Sequence, residues 1–216
     1  MQSKLLDKLN RKIGRFSISN LMVYMIAGMV VVFFCDILLS SAEKPSLSGF
    51  ISFDRDAILG GQVWRFITYA FEYPPSSPLF MLFTLYFYWL IGSALEREWG
   101  SFRFNVFYFS SILLTAGVGL ITGFATNYFF NMALFFAFAI LYPDNEVLLF
   151  FVLPIKIKYL AIIDAVYFAY MLVVYPWPGR ICLLISIAIL VLFFLGDIIN
   201  SIKRTYRRMM WKRNFR

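Results

Sequence analysis

Long apolar runs separated by short polar punctuation organise this chain. The first runs from about Leu21 to Leu39 and is interrupted only by Asp36 near its far end. The second, Leu79 to Leu95, holds seventeen uncharged residues, enough for about 25 Å of helix. Between Arg103 and Asp144 lie forty residues without a formal charge. As one helix they would reach roughly 60 Å, about twice the hydrocarbon thickness of a bilayer, so the run must fold back. Gly117, Gly119, Gly123 and Asn127 place the turn near residues 123 to 127. Two further runs, Tyr159 to Val174 and Ile181 to Asn200, are separated by Tyr175, Pro176, Trp177, Pro178 and Gly179. The pattern predicts an all-α membrane protein with six transmembrane helices. A polar loop with Pro45 and Gly49 follows the first run, and then residues 61 to 71 form an amphipathic segment too short to span. Its Trp64, Arg65 and Tyr69 suit the headgroup layer.

Composition supports the same class. AVILMFWYC residues make up 61% of 216 positions and 15% are charged, against about half and a quarter in soluble domains. Charge then orients the bundle. With six spans, 16 of the 20 Lys and Arg residues fall on the side shared by the two termini, which predicts that both termini are cytoplasmic. Three segments follow: a basic amphipathic cytoplasmic segment at 1–20, a membrane domain at 21–200 and a basic cytoplasmic tail at 201–216. The net charge of +8 sits in tails and short loops, so anionic lipid headgroups, not nucleic acid, are the expected partner. Cys35 and Cys182 both lie in predicted spans as small apolar residues, without a disulfide. No sorting signal is visible, which points to a bacterial plasma membrane, with the endoplasmic reticulum as the alternative.

Two motifs narrow the fold. Gly61-Gln62-Val63-Trp64-Arg65-Phe66-Ile67-Thr68 resembles the Trp-Arg motif in the first external loop of rhomboid-like proteins, and Gly92, Glu96 and Gly100 resemble the small-residue and glutamate pattern of that superfamily's second helix. The stretch Ala137 to Pro143, followed by Val152 to Leu160, is similar to the family's end of helix four and start of helix five. The resemblance covers about residues 20 to 200 and implies a six-transmembrane-helix rhomboid-like bundle. In it, Gly92 would allow close helix packing, Glu96 would accept hydrogen bonds from loop backbone at the cytoplasmic boundary, and Arg65 would hold the external loop to headgroups or loop carbonyls.

The resemblance also implies a chemistry, and the residues for it are missing. Rhomboid proteases use a serine on helix four and a histidine on helix six. This chain has no histidine, and no serine occurs between Ser111 and Ser186. Counting back from Pro143, the serine position falls at or near Tyr128. Counting back from Gly92, the oxyanion-stabilising histidine and asparagine correspond to Phe80 and Thr84. A serine nucleophile needs a base, and each lost oxyanion donor costs on the order of 100-fold or more. The expectation is therefore no catalytic residue, no cofactor and no metal.

The role implied is that of inactive rhomboid-like proteins, including derlins, which bind transmembrane segments of client proteins in membrane-protein quality control or trafficking. Phe80, Thr84, Tyr128 and Asn131 are the candidate client-binding residues. Asn105, Asn127 and Asn131 also suit hydrogen bonding between helices where water is excluded. Three alternatives stay open: a structural subunit of a membrane complex, a small-solute transporter, and an intramembrane protease using Asp164 and Asp197, since intramembrane carboxylates are functional candidates by default.

Overall fold

The computed structural model describes residues 14–74, 77–149 and 153–192. In chain order it holds α1 (Leu21–Ser41), three short helices α2 (Leu47–Ile51), α3 (Arg55–Leu59) and α4 (Arg65–Thr68), then α5 (Pro78–Trp99) and α6 (Ser101–Thr122). There follow α7 (Tyr128–Leu141), strands β1 (Glu146–Leu149) and β2 (Leu153–Lys156), and α8 (Ile157–Val174). Last comes α9 (Trp177–Leu192). Four of these, α1, α5, α6 and α8, are long and apolar enough to cross a membrane, and α7 and α9 are shorter apolar helices. Residue 197 and the basic segments before 14 and after 192 lie outside the described residues.

The breaks fall where the backbone chemistry puts them. Pro78 occupies the first turn of α5, where its missing N–H costs nothing. Gly100, at φ 79°, separates α5 from α6, and Gly123, at φ 83°, ends α6. Both conformations are strained for a side-chain-bearing residue. The turn into α7 thus lies in the 123–127 window read from the glycines.

The structure corrects the sequence reading in two places. The polar loop after α1 is built from short helices, with α2 capped by Ser46 and α3 by Asp54. The all-α expectation also fails locally, because β1 and β2 pair antiparallel, with Glu146 opposite Lys156 and Val147 opposite Ile155. Pro143 stops the helix, and the branched apolar residues that follow favour an extended hairpin. That hairpin leads directly into α8: the N–H of Ile157 donates to Asn145 O at 3.0 Å and that of Lys158 to Pro143 O at 3.1 Å.

The core lies among α1, α5, α6 and α7. On α7, Phe130, Ala133, Leu134 and Ala137 are buried at the three- and four-residue spacing of one helix face, and Phe129, Asn131, Phe138 and Ala139 are buried as well, so the helix is enclosed on most sides. The first four meet Met22 and Met25 of α1, Leu95 of α5, and Phe104, Tyr108 and Ala116 of α6 in one cluster. By contrast, α8 buries only Ile157 and Phe168. Phe168 joins Phe129 of α7 with Cys182 and Leu183 of α9 in a second, smaller cluster. Both cysteines are free.

Candidate functional site

The loop between α1 and α5 forms a platform held from below and within. Arg65 is 7% exposed. Its Nη1 donates to Gly49 O and Ser52 O, each at 2.9 Å, and its Nε to Gln62 Oε1 at 2.7 Å. The loop carbonyls expected as partners of Arg65 are present. Trp64 stacks on Phe50 with centroids 5.3 Å apart, and its Nε1 donates to Phe50 O at 3.4 Å. Together the pair holds the C-terminal half of α2. Tyr69 departs from its expected headgroup position: it is fully buried, and its hydroxyl donates to Ile112 O of α6 at 2.7 Å.

At the opposite end of α5 the second motif forms a corner. A Cβ on Gly92 would stand 2.5 Å from Met22 Cγ, so α1 and α5 touch there only because the side chain is absent. Glu96 Oε1 accepts the N–H of Asn20 and the hydroxyl of Ser101, both at 2.7 Å. The carboxylate thus ties the start of α1 to the start of α6. Gly100 does different work from Gly92. Nothing lies within 4 Å of its missing Cβ; its positive φ makes the turn.

The residues that counting places at or near the family's catalytic positions lie on two helices, α5 and α7. Phe80 is 52% exposed. The Thr84 hydroxyl donates to Phe80 O at 3.0 Å within its own helix. Tyr128 opens α7, half-buried, with its hydroxyl near those of Tyr167 and Tyr88 and near the Asp164 carboxylate. Asn131 is 2% exposed, its amide turned toward the Tyr88 hydroxyl without reaching hydrogen-bond geometry. Phe80, Thr84, Tyr128 and Asn131 therefore do not make one exposed surface. Phe80 and Tyr128 face outward or into the α7–α8 seam, while Asn131 faces the core.

The other asparagines bind loops, not neighbouring helices. Asn127 Nδ2 donates to Ala70 O at 3.2 Å and Glu72 O at 2.6 Å. Asn105 Nδ2 donates to Ile18 O at 3.1 Å. Asn127 thereby fixes the platform over the first turn of α7, immediately beside Tyr128. Burial pushes the neighbouring Glu72 carboxyl up from the ordinary glutamate range.

Sequence reasoning missed Asp36 as an anchor. Its Oδ1 accepts the N–H of Ser48 at 3.1 Å, and its Oδ2 accepts the Tyr73 hydroxyl at 3.0 Å. The signal was a lone carboxylate in an apolar run, which needs donors when buried. Asp164 has one oxygen, Oδ2, without a hydrogen bond. Its proposed partner, Asp197, lies outside the described residues. Among the described residues, no group of three His, Cys, Asp or Glu side chains could hold a metal ion.

The model of the Rhomboid domain family matches residues 60–190 of the chain, a span that holds both motifs and the start of α7. No curated protein matches it.

Proposed function

The chain belongs to the rhomboid family, and from that premise we propose that it is a catalytically inactive member that binds transmembrane segments of client proteins. One observation carries the reading. Counting back from Pro143 puts the family's serine position at or near Tyr128, in a chain without a single histidine. A phenol in place of an alkoxide precursor, without the histidine that serves the family's serine as base, lacks the pair that begins acyl transfer.

The membrane architecture that goes with this function has six spans and cytoplasmic termini. In it α7 and α9 cross as short helices beside the four long ones, and the Lys and Arg bias sets the orientation. Fourteen residues of α7 rise only about 21 Å, less than the roughly 30 Å hydrocarbon layer, so the bilayer thins around it. A thin bilayer lowers the cost of admitting a weakly hydrophobic helix. The seam between α7 and α8 offers such a guest the aromatic face and hydroxyl of Tyr128, flanked by Tyr167 and Asp164.

The test has two arms. In proteoliposomes the protein cleaves no model transmembrane substrate and does not react with serine-directed phosphonates; specific cleavage would overturn inactivity. A photocrosslinker at Tyr128 captures client helices, while one at Phe34, which is 59% exposed on α1, captures few. Equal yields from the two positions would overturn client binding at this seam.

A further inference from the structure

One carboxylate on α8 bears on what kind of helix the seam receives. Asp164 stands seven residues after the start of α8 and ten before its end, about 10 Å of helix from one terminus and about 15 Å from the other. An acid at that depth needs a partner, since hydrocarbon offers neither a counter-charge nor a donor. Its Oδ2 is covered and has no hydrogen-bond partner. Among the described residues no basic side chain pairs with it. Lys158, six residues earlier on the same helix, is joined to Asp144, with Nζ to Oδ1 at 3.1 Å. The polar groups nearby are the hydroxyls of Tyr128 and Tyr167, which bring no charge.

The carboxylate is open on its lipid side. Asp164 is only half-buried, and Tyr167, Ile163 and Val166 around it are exposed. The Oδ1 edge therefore meets what lies against the seam. Resting on the client-binding reading above, we propose that the seam selects guest helices that carry a lysine or arginine at the depth of Asp164. Depth decides the source of the cation: lipid amine headgroups stay at the interface, about 10 Å away along α8, and a side chain carried in on a helix reaches the middle. The acceptors match in number too. A lysine ammonium has three N–H donors, and Asp164 Oδ1 with the Tyr128 and Tyr167 hydroxyls offers three acceptors. A desolvated ion pair is held well when such further hydrogen bonds satisfy it. In bare lipid the same cation has no partner, so a basic guest gains from entering the seam what a leucine guest cannot.

The experiment uses the full chain in proteoliposomes with single-span guest helices of Leu and Ala that differ only at the central residue, which is Lys, Gln or Leu. Energy transfer between a dye on the guest and one on the protein reads affinity, and a photocrosslinker one turn from the guest's centre reads whether it lies at Tyr128. The Lys guest binds at least about tenfold tighter than the Leu guest, with the Gln guest between them. Moving the lysine two turns toward either end returns the affinity to the Leu value. In Asp164→Asn the Lys and Leu guests bind alike, and melting of that variant confirms its fold; the guest series on the unaltered protein decides independently of it. Equal affinity of all three guests, each crosslinked at Tyr128, overturns the selection for a basic residue and leaves client binding standing. Failure of every guest to crosslink overturns both. A Gln guest that matches the Lys guest overturns the role of charge, and hexylammonium that displaces the Lys guest at equal concentration overturns the helix as the source of the cation.

Discussion

The Tyr73 hydroxyl donates to the Asp36 carboxylate at 3.0 Å, joining the far end of α1 to the last stretch of the loop platform. The same carboxylate accepts the N–H of Ser48 at the start of α2. Asp36→Leu removes both and strands the donors, costing about 3 kcal/mol, whereas Tyr73→Phe costs about 1 kcal/mol. Unfolding in mixed dodecyl maltoside and dodecyl sulfate micelles reads both values. Similar losses for the two variants would show that the α2 contact contributes nothing.

Arg65 holds two carbonyls and a side-chain amide with one planar group. A lysine ammonium cannot reproduce that fork. Arg65→Lys therefore destabilises nearly as much as Arg65→Ala, by about 2 to 3 kcal/mol. Full stability of the lysine variant in the same unfolding assay would reduce Arg65 to a simple positive charge.

Gly92 and Gly100 separate by rescue. At Gly92 a new Cβ collides with Met22, so Gly92→Ala lowers the melting temperature and Met22→Ala in the same chain restores part of it. At Gly100 the space is open and the φ is 79°, so Gly100→Ala costs about 1 kcal/mol through backbone strain. Met22→Ala does nothing for that variant. Rescue of both, or of neither, contradicts the division.

Glu72 makes stability depend on pH in a defined direction. Its carboxyl is pushed up by burial, so the folded state binds the proton more tightly than the unfolded chain. The stabilisation from protonation is complete below the unfolded value of about 4.3 and fades as pH rises through the folded value. Glu72→Gln therefore melts above the wild type at pH 7, and the gap closes toward pH 4. A gap that is constant across this range would show that Glu72 is not desolvated.

Much of this was legible from the chain. The four helices long and apolar enough to cross a membrane followed from charge-free length, because hydrocarbon tolerates few charges, and the glycines at 117 to 123 located the α6–α7 turn. The Trp-Arg and Gly92–Glu96 motifs marked residues that the fold uses. What stayed hidden were pairings distant in sequence. Asp36 with Tyr73, Asn20 with Glu96 and Asn127 with Glu72 O each join segments whose approach no local pattern encodes. For Asn131 the sequence supports both client contact and hydrogen bonding between helices, and helical phase alone could not say that its face turns inward. The β1–β2 pairing escaped because Val152 to Leu160 resembles the start of a helix, whereas Leu153–Lys156 is a strand and the helix begins only at Ile157.

The seam closed by Phe168, whose ring lies 6.2 Å from that of Phe129 and 5.2 Å from that of Phe136, behaves differently in lipid than it would in water. Between membrane helices there is no hydrophobic driving force, since an acyl chain solvates a phenyl ring about as well as another ring does. These contacts can be exchanged for lipid at little cost. The hydrogen bonds of Arg65, Asp36 and Asn127 cannot, because hydrocarbon supplies no substitute donor or acceptor. The protein is thus divided by the currency of its contacts into a polar half that keeps its shape in any bilayer and an aromatic half whose packing follows the order of the surrounding chains. Stiff, ordered lipids compete poorly for the rings and hold the seam shut, whereas short or fluid ones loosen it, so the acyl composition of the host membrane becomes a setting of the molecule.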